Sequence, residues 1–177
     1  MNFQFNIEKL FASEEFKNFI KENKDAYPCS GFVVTDLEKQ DNKTHFDYYI
    51  PSVKKMFSFK LEDNCAKIEV EQLPEKEPEK LKFNYNFSSE DIQKLVEDKM
   101  AEENIKNKIQ KLLFSLQCKD GKDFLIGTVF ISGMGMLKVN INIEEMKITE
   151  FEKRSFMDMV NVFKKKDKDS KSSPQKN

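Results

Sequence analysis

Tryptophan is absent from this chain, and arginine and histidine occur once each. The single arginine, Arg154, stands against 29 lysines. Arginine is the fork that grips phosphate or guanine bidentately, so its scarcity argues against nucleic-acid or phosphate recognition. The single histidine, His45, is the one available base for a Cys–His nucleophilic pair, and nothing in the sequence sets a cysteine beside it. It lies in "KTHFDYY", which alternates like a strand, and a surface or hydrogen-bonded role is expected. Cysteine is scarce as well. Cys29, Cys65 and Cys118 are odd in number and far apart, which fits free thiols in a reducing cytosol better than a disulfide framework. With His45 they would make a Cys₃His set by count, but structural zinc draws on close pairs such as C-x₂-C and none is present. No metal, cofactor or catalytic residue is therefore assigned. No run approaches the 18 apolar residues of a membrane span, and the start "MNFQFNIEKLFASEEF" is unlike a signal peptide. The expected location is cytoplasmic.

What the chain does have is phenylalanine and balanced charge. Its 177 residues include 17 Phe and are 34% charged for a net charge of −1, enough apolar material for one full domain or two small halves sharing a core. The last 14 residues carry six Lys and two Asp, so the body before them is net acidic and would repel a polyanion. Abundant Lys, Asn, Ile and Phe with no Trp also suggest an AT-rich genome. Aromatics among lysines in "HFDYYIPSVKKMFSFK" could stack single-stranded bases, but a sheet face packed on helices explains them more simply.

Helix signals open the chain at Ile7, Leu10 and Phe11. Ser13 sits where an N-cap would, with Glu14 and Glu15 suited to the positive helix end and Phe16, Phe19 and Ile20 continuing an apolar stripe. "DAYPCSG" should end it. Four strand-like runs follow: "GFVVTDLE", "THFDYYI", "KKMFSFKLE" and "AKIEVEQL". Their period-2 alternation fits a sheet with one buried face. Residues 1–73 form the first half on this reading. The segment 74–80, charged and carrying two prolines, is a connector.

The second half, 81–166, opens with "LKFNYNF", read as an edge strand. "SSEDIQKLVEDKMAEENIKNKIQKLLFSLQ" then reads as a long helix, or two helices bent around Glu102–Asn104. Ser88 or Ser89 caps it, and Ile109, Leu112, Leu113 and Leu116 form its second stripe. Strands are expected at Phe124–Ser132, Met136–Ile143 and Met146–Phe151. Phe156, Met157, Met159, Val160 and Phe163 then share one helical face, and Lys164, Lys165, Lys166 and Lys168 follow. The tail 167–177 has the polar composition of disorder.

Three of the five glycines fall in "FLIGTVFISGMGMLKVNINIEE". Phosphate-cradling glycine loops lead from a strand into a helix N-terminus, and "LKVNINI" alternates like a strand, so "SGMG" reads as a hairpin bend. Gly127 marks a bulge or a close backbone contact. Laying "YYIPSVKKMFSFKLEDNCAKIEVEQ" over "VFISGMGMLKVNINIEEMKITEFEK" matches hairpin with hairpin and acidic turn with acidic turn, which suggests an internal repeat.

A long helix followed by "GKDFLIGTVFISGMGMLKVNINIEEMKITEFEK" resembles the helix–strand–strand–strand unit of PepSY-like domains. The turn "IEEMKI" lacks the glycine often found at that point in the group. "FASEEFKNFIKENKDAYPCSGFVV" is similar to small proteins of AT-rich, archaeal genomes. The PepSY-like resemblance implies a regulatory or protease-inhibiting module and no catalytic residue.

The expectation is an α+β protein of two related helix-plus-antiparallel-sheet halves, PepSY-like or cystatin-like, with helices on one sheet face. The expected function is a non-enzymatic cytosolic binding or regulatory module for a protein or peptide partner. It would use a strand edge or a helix–sheet groove, with Phe83, Tyr85, Met134 and Met136 as candidate contacts. A peripheral membrane-surface adaptor using Phe156, Met157, Val160, Phe163, Lys164, Lys165 and Lys166 is the alternative. An enzyme of unknown class using Asp, Glu, Lys or Tyr stands third.

Overall fold

A computed structural model describes residues 2–62 and 64–155. The expected C-terminal helix and tail lie outside the described residues. Among the described residues the chain is α+β: three helices and one antiparallel sheet of eight strands.

Two helices open it. In α1 (Phe3–Ala12) the Asn2 side chain accepts the Phe5 amide. In α2 (Glu14–Glu22) Ser13 caps as expected, accepting from the Phe16 N–H, with Glu14 and Glu15 in the first turn. Four strands follow: β1 (Tyr27–Asp36), β2 (Lys43–Ile50), β3 (Lys55–Lys60) and β4 (Ala66–Glu69). Pro28 and Gly31, expected to break structure, lie inside β1. The register against β2 shifts between Pro28 and Ser30, and a bulge is where a strand tolerates proline.

Residues 70–88 return without helix or ladder to α3 (Ser89–Glu102), where Ser88 and Asp91 form a capping box. Then come β5 (Ile109–Lys119), β6 (Lys122–Ile131), β7 (Gly135–Asn142) and β8 (Lys147–Ser155). The sheet order is β4-β3-β2-β1-β5-β6-β7-β8, so two four-stranded meanders meet at β1–β5, and a helix precedes each.

Two expectations fail here. The long helix stops at Glu102, because Asn104 takes a left-handed φ of 57° and closes a Schellman end: its amide donates to Ala101 O and the Ile105 amide to Met100 O. Ile109, Leu112, Leu113 and Leu116 therefore lie on a strand. Leu112 faces Val129 and Leu116 faces Leu125 on the core side, and Leu113 points to the other face. "LKFNYNF" is not an edge strand either. It is a strap of irregular backbone whose Leu81, Tyr85 and Phe87 are buried.

One core joins everything. Phe3, Ile7, Leu10, Phe16, Phe19, Ile92, Val96 and Met100 from the helices pack with Phe46, Tyr48, Phe59, Phe114, Leu125, Val129, Leu137 and Val139 from alternate sheet positions. Phe19 meets Phe59 edge-on at 5.0 Å and Phe16 meets Tyr48 at 4.9 Å. Each fully buried ring contributes about 2–3 kcal/mol. Cys29, Val34, Tyr49 and Met136 are also buried but stand outside this cluster, on the opposite sheet face. The described helices thus cover one face only.

Candidate functional site

The strap is the element that builds a site. It crosses the ends of β5 and β6 and is fastened at both ends. The Leu81 amide donates to Pro28 O at 2.9 Å, and the Phe3 amide donates to Phe87 O. Glu79 accepts the Asp120 and Gly121 amides of the β5–β6 turn at 3.1 and 2.9 Å, which holds its carboxyl below the usual range. Tyr27 donates from its hydroxyl to Pro78 O at 2.8 Å.

Asp123 is the centre of the arrangement. It occupies an inward position on β6, in step with Leu125 and Val129, and is 1% exposed. One carboxylate oxygen, Oδ2, accepts from the Tyr85 hydroxyl at 2.8 Å and from the Lys82 amide at 3.0 Å. The other, Oδ1, is enclosed and has no hydrogen-bond partner. Cys118 faces Asp123 across the β5–β6 ladder, and its thiol lies between that carboxylate and Glu79 Oε2, 3.6 Å away. A buried carboxylate oxygen without a donor is costly and needs an explanation.

Beside Asp123 lies a hollow of about 560 Å³ lined by Lys82, Asn84, Asn86, Phe87, Ile143 and Met146, with Tyr85 and Glu144. Lys82 and Glu144 pair across it, each strengthening the other's charged form. Asn142 fixes the β7–β8 turn by accepting the Glu144 and Glu145 amides at 3.0 and 3.2 Å. Its lining mixes apolar Phe87, Ile143 and Met146 with charged Lys82 and Glu144, the Asn84 and Asn86 carboxamides and the buried Asp123.

The two acidic hydrogen-bonding groups beside Asp123 are held in their protonated forms. Burial first, then Asp123 and Glu79, push the Cys118 thiol up to about 12, so it is not a thiolate at neutral pH. Burial and the Asp123 carboxylate also raise Tyr85, which stays a hydrogen-bond donor.

Of the four candidate contacts, Tyr85 lines this hollow with its ring in the core. Phe83 is half-buried, packed on Phe46 at 5.0 Å and held at a left-handed φ of 53°. Met136 is only 6% exposed, so it presents no free surface, whereas Met134 at the hairpin tip is 74% exposed. His45 donates or pairs to Glu62 Oε1 at 2.9 Å on the face away from the helices. All three cysteines are unpaired. No group of three potential metal ligands gathers among the described residues. The C-terminal membrane candidates, Phe156 to Lys166, lie outside the described residues, and no described helix is long and apolar enough to cross a membrane.

Asp123, at the head of "DFLIGTVF", was not among the candidate residues of the sequence. The available signal was an acid at an inward position of the alternation Asp123, Leu125, Gly127, Val129, Ile131.

No family model matches the chain, and no curated protein matches it in sequence. Among solved structures it is similar to a protein of Clostridium difficile 630 described as a "putative lipoprotein". The two share a TM-score of 0.50 and 13% identity over 80% of this chain and 91% of the other. At that identity the likeness concerns the fold alone.

Proposed function

We propose that the protein is a non-enzymatic binding module for a protein or peptide partner, and that the hollow beside Asp123 receives a cationic group of that partner. The Asp123 carboxylate in the lining of the hollow carries the reading: its Oδ1 has no hydrogen-bond partner but is enclosed, so a cation in the hollow would meet its charge and not Oδ1 itself. A lysine ammonium or a peptide amino terminus brings that positive charge. Phe87, Ile143 and Met146 would cover the apolar stem, and the Asn84 and Asn86 carboxamides would meet peptide groups. The high thiol and phenol pKa values support binding over catalysis. Two related helix-plus-sheet halves of PepSY-like plan remain part of this proposal, supported by the helix-then-meander order of each half, as does a cytosolic setting, which the unpaired cysteines favour.

The test is a titration of the full chain with n-butylammonium, agmatine and a Gly-Lys-Gly amide, read as amide shifts by NMR. Binding here should move Lys82–Phe87 and Asp123 and weaken strongly in Asp123→Asn. If no cationic probe moves those amides, or if an uncharged isostere binds equally well, the proposal fails.

A further inference from the structure

We propose, on the reading of the hollow beside Asp123 as a receptor for a cationic group, that Lys82 sets how many positive charges it accepts. By keeping Glu144 occupied, Lys82 makes the site one for a group with a single ammonium, which gains nothing from a second. Among the described residues the charged groups of the lining are Lys82, Asp123 and Glu144. The Lys82 ammonium pairs with Glu144 Oε1, both side chains being about half exposed. Asp123 is buried, and among the described residues it meets a hydroxyl and an amide but no ammonium. One acid is thus answered by the chain itself, and the other is left to the charge of a ligand.

The strap holds Lys82 in place through its main chain. The Lys82 amide donates to Asp123 Oδ2 at 3.0 Å, and the preceding Leu81 amide donates to Pro28 O at 2.9 Å. With its backbone tied to one acid, Lys82 reaches the other with its side chain. Glu144 is anchored as well, its amide donating to Asn142 Oδ1 at 3.0 Å. Both backbones are fixed before the pair forms, which lowers the ordering cost that usually offsets a surface ion pair.

A matching arrangement closes the first meander. Just past β3 the Leu61 amide donates to Thr44 O at 3.0 Å, as the Ile143 amide just past β7 donates to Asp123 O at 3.1 Å. A glutamate follows in each case, Glu62 and Glu144. At the first turn the Lys9 ammonium of α1 lies 2.6 Å from Leu61 O and 3.4 Å from Glu62 O. At both turns, then, a lysine from α1 or from the strap lies against the glutamate residue. The two ends differ in the second strand, where β2 has the neutral Thr44 and β6 has Asp123. It is this additional acid, and not Glu144, that a ligand would serve.

The test titrates the full chain and its Lys82→Met variant with n-butylammonium and with butane-1,4-diammonium, followed by the Lys82–Phe87 and Asp123 amides in NMR. The two probes share a stem and differ in the second charge. In the unaltered chain the diammonium should bind at most about twofold tighter, the factor that two equivalent ends give. In Lys82→Met, Glu144 is released and the affinity ratio should rise roughly three- to fivefold, as expected of an ion pair at a half-exposed site. Lys82→Gln should behave alike, and adding Glu144→Gln to Lys82→Met should return the ratio to its starting value. An unchanged ratio in Lys82→Met while both probes bind, or a diammonium favoured more than about tenfold in the unaltered chain, would overturn this proposal alone. If neither probe binds either protein, the reading of the hollow falls and this proposal falls with it.

Discussion

Replacing Tyr85 by phenylalanine tests the strap directly. The substitution keeps the ring, which packs 6.1 Å from Phe83 and 5.8 Å from Phe87, and removes only the hydroxyl. That hydroxyl supplies one of the two hydrogen bonds on Asp123 Oδ2, at 2.8 Å, with both residues at most 3% exposed. Asp123 would keep the Lys82 amide on Oδ2 and nothing on Oδ1. A hydrogen bond to a buried charged group is worth about 1.5–3 kcal/mol, and the carboxylate left behind is under-solvated, so the expected loss is about 2–3 kcal/mol. For a chain of this size that lowers Tm by roughly 5–10 °C. The assay is urea unfolding of the full chain by circular dichroism, with a double-mutant cycle against Asp123→Asn to isolate the pair. A Tyr85→Phe loss below about 0.5 kcal/mol at unchanged m-value, or negligible coupling to Asp123, would refute the claim that this bond fastens the strap.

Other expectations concern separate parts of the molecule. Gly127→Ala should cost at least about 3 kcal/mol, because a Cβ there would lie 1.9 Å from Leu113 O and 2.7 Å from Phe114 Cδ1; thermal unfolding measures it. Met134→Gly should stabilise by roughly 1 kcal/mol, since Met134 holds a left-handed φ of 58° at an exposed tip; a lower midpoint in urea would contradict this. The Lys111 ammonium and the Lys39 and Glu38 amides hold the Asp36 carboxyl down to about 2. Its stabilisation is thus fully present above the ordinary carboxylate range and is lost as pH falls through about 2, and a carboxyl NMR titration should show a higher midpoint in Lys111→Met. Cys29, 4% exposed and pushed up to about 12 chiefly by burial, should react with a thiol reagent at pH 8 only as fast as the protein opens; rapid modification would contradict its burial.

How much of this could be read in advance depended on how many faces an element buries. In β3, and less completely in β2 and β7, one face carries most of the burial, so alternation such as Phe57, Phe59 against Ser58, Lys60 was legible, and so was the hairpin at Gly133, whose φ is 77°. β5 sits at the centre of the sheet with apolar residues on both faces. Leu112, Leu113 and Leu116 then mimic a helical stripe in a stretch rich in good helix formers, and periodicity alone could not separate the two. Asn104 carried the stop signal, but a left-handed asparagine is a weaker mark than glycine. The site was least legible. "LKFNYNF" has the alternation of a strand, and only tertiary fastening to Pro28 and Asp123 bends it into a strap. Asp123 gains its meaning from Tyr85 and Lys82, 38 and 41 residues away.

The β1–β5 seam sets an order of events during synthesis. β1 pairs with β5 through contacts such as Asp36 with Lys111 and Ser30 with Gln117. The first meander therefore leaves the ribosome with what will be a central strand still carrying a row of unanswered amides and carbonyls, until some 75 further residues have been made. Such high-separation pairing is slow, and the open edge is a template for a neighbouring nascent chain. The bulge at Pro28–Ser30 and the charged end at Asp36 limit that edge in the interval. Stalled chains ending before Ile109 should stay open to protease along β1, and chains released past Lys119 should close in one cooperative step, the second meander acting as the lock for the first.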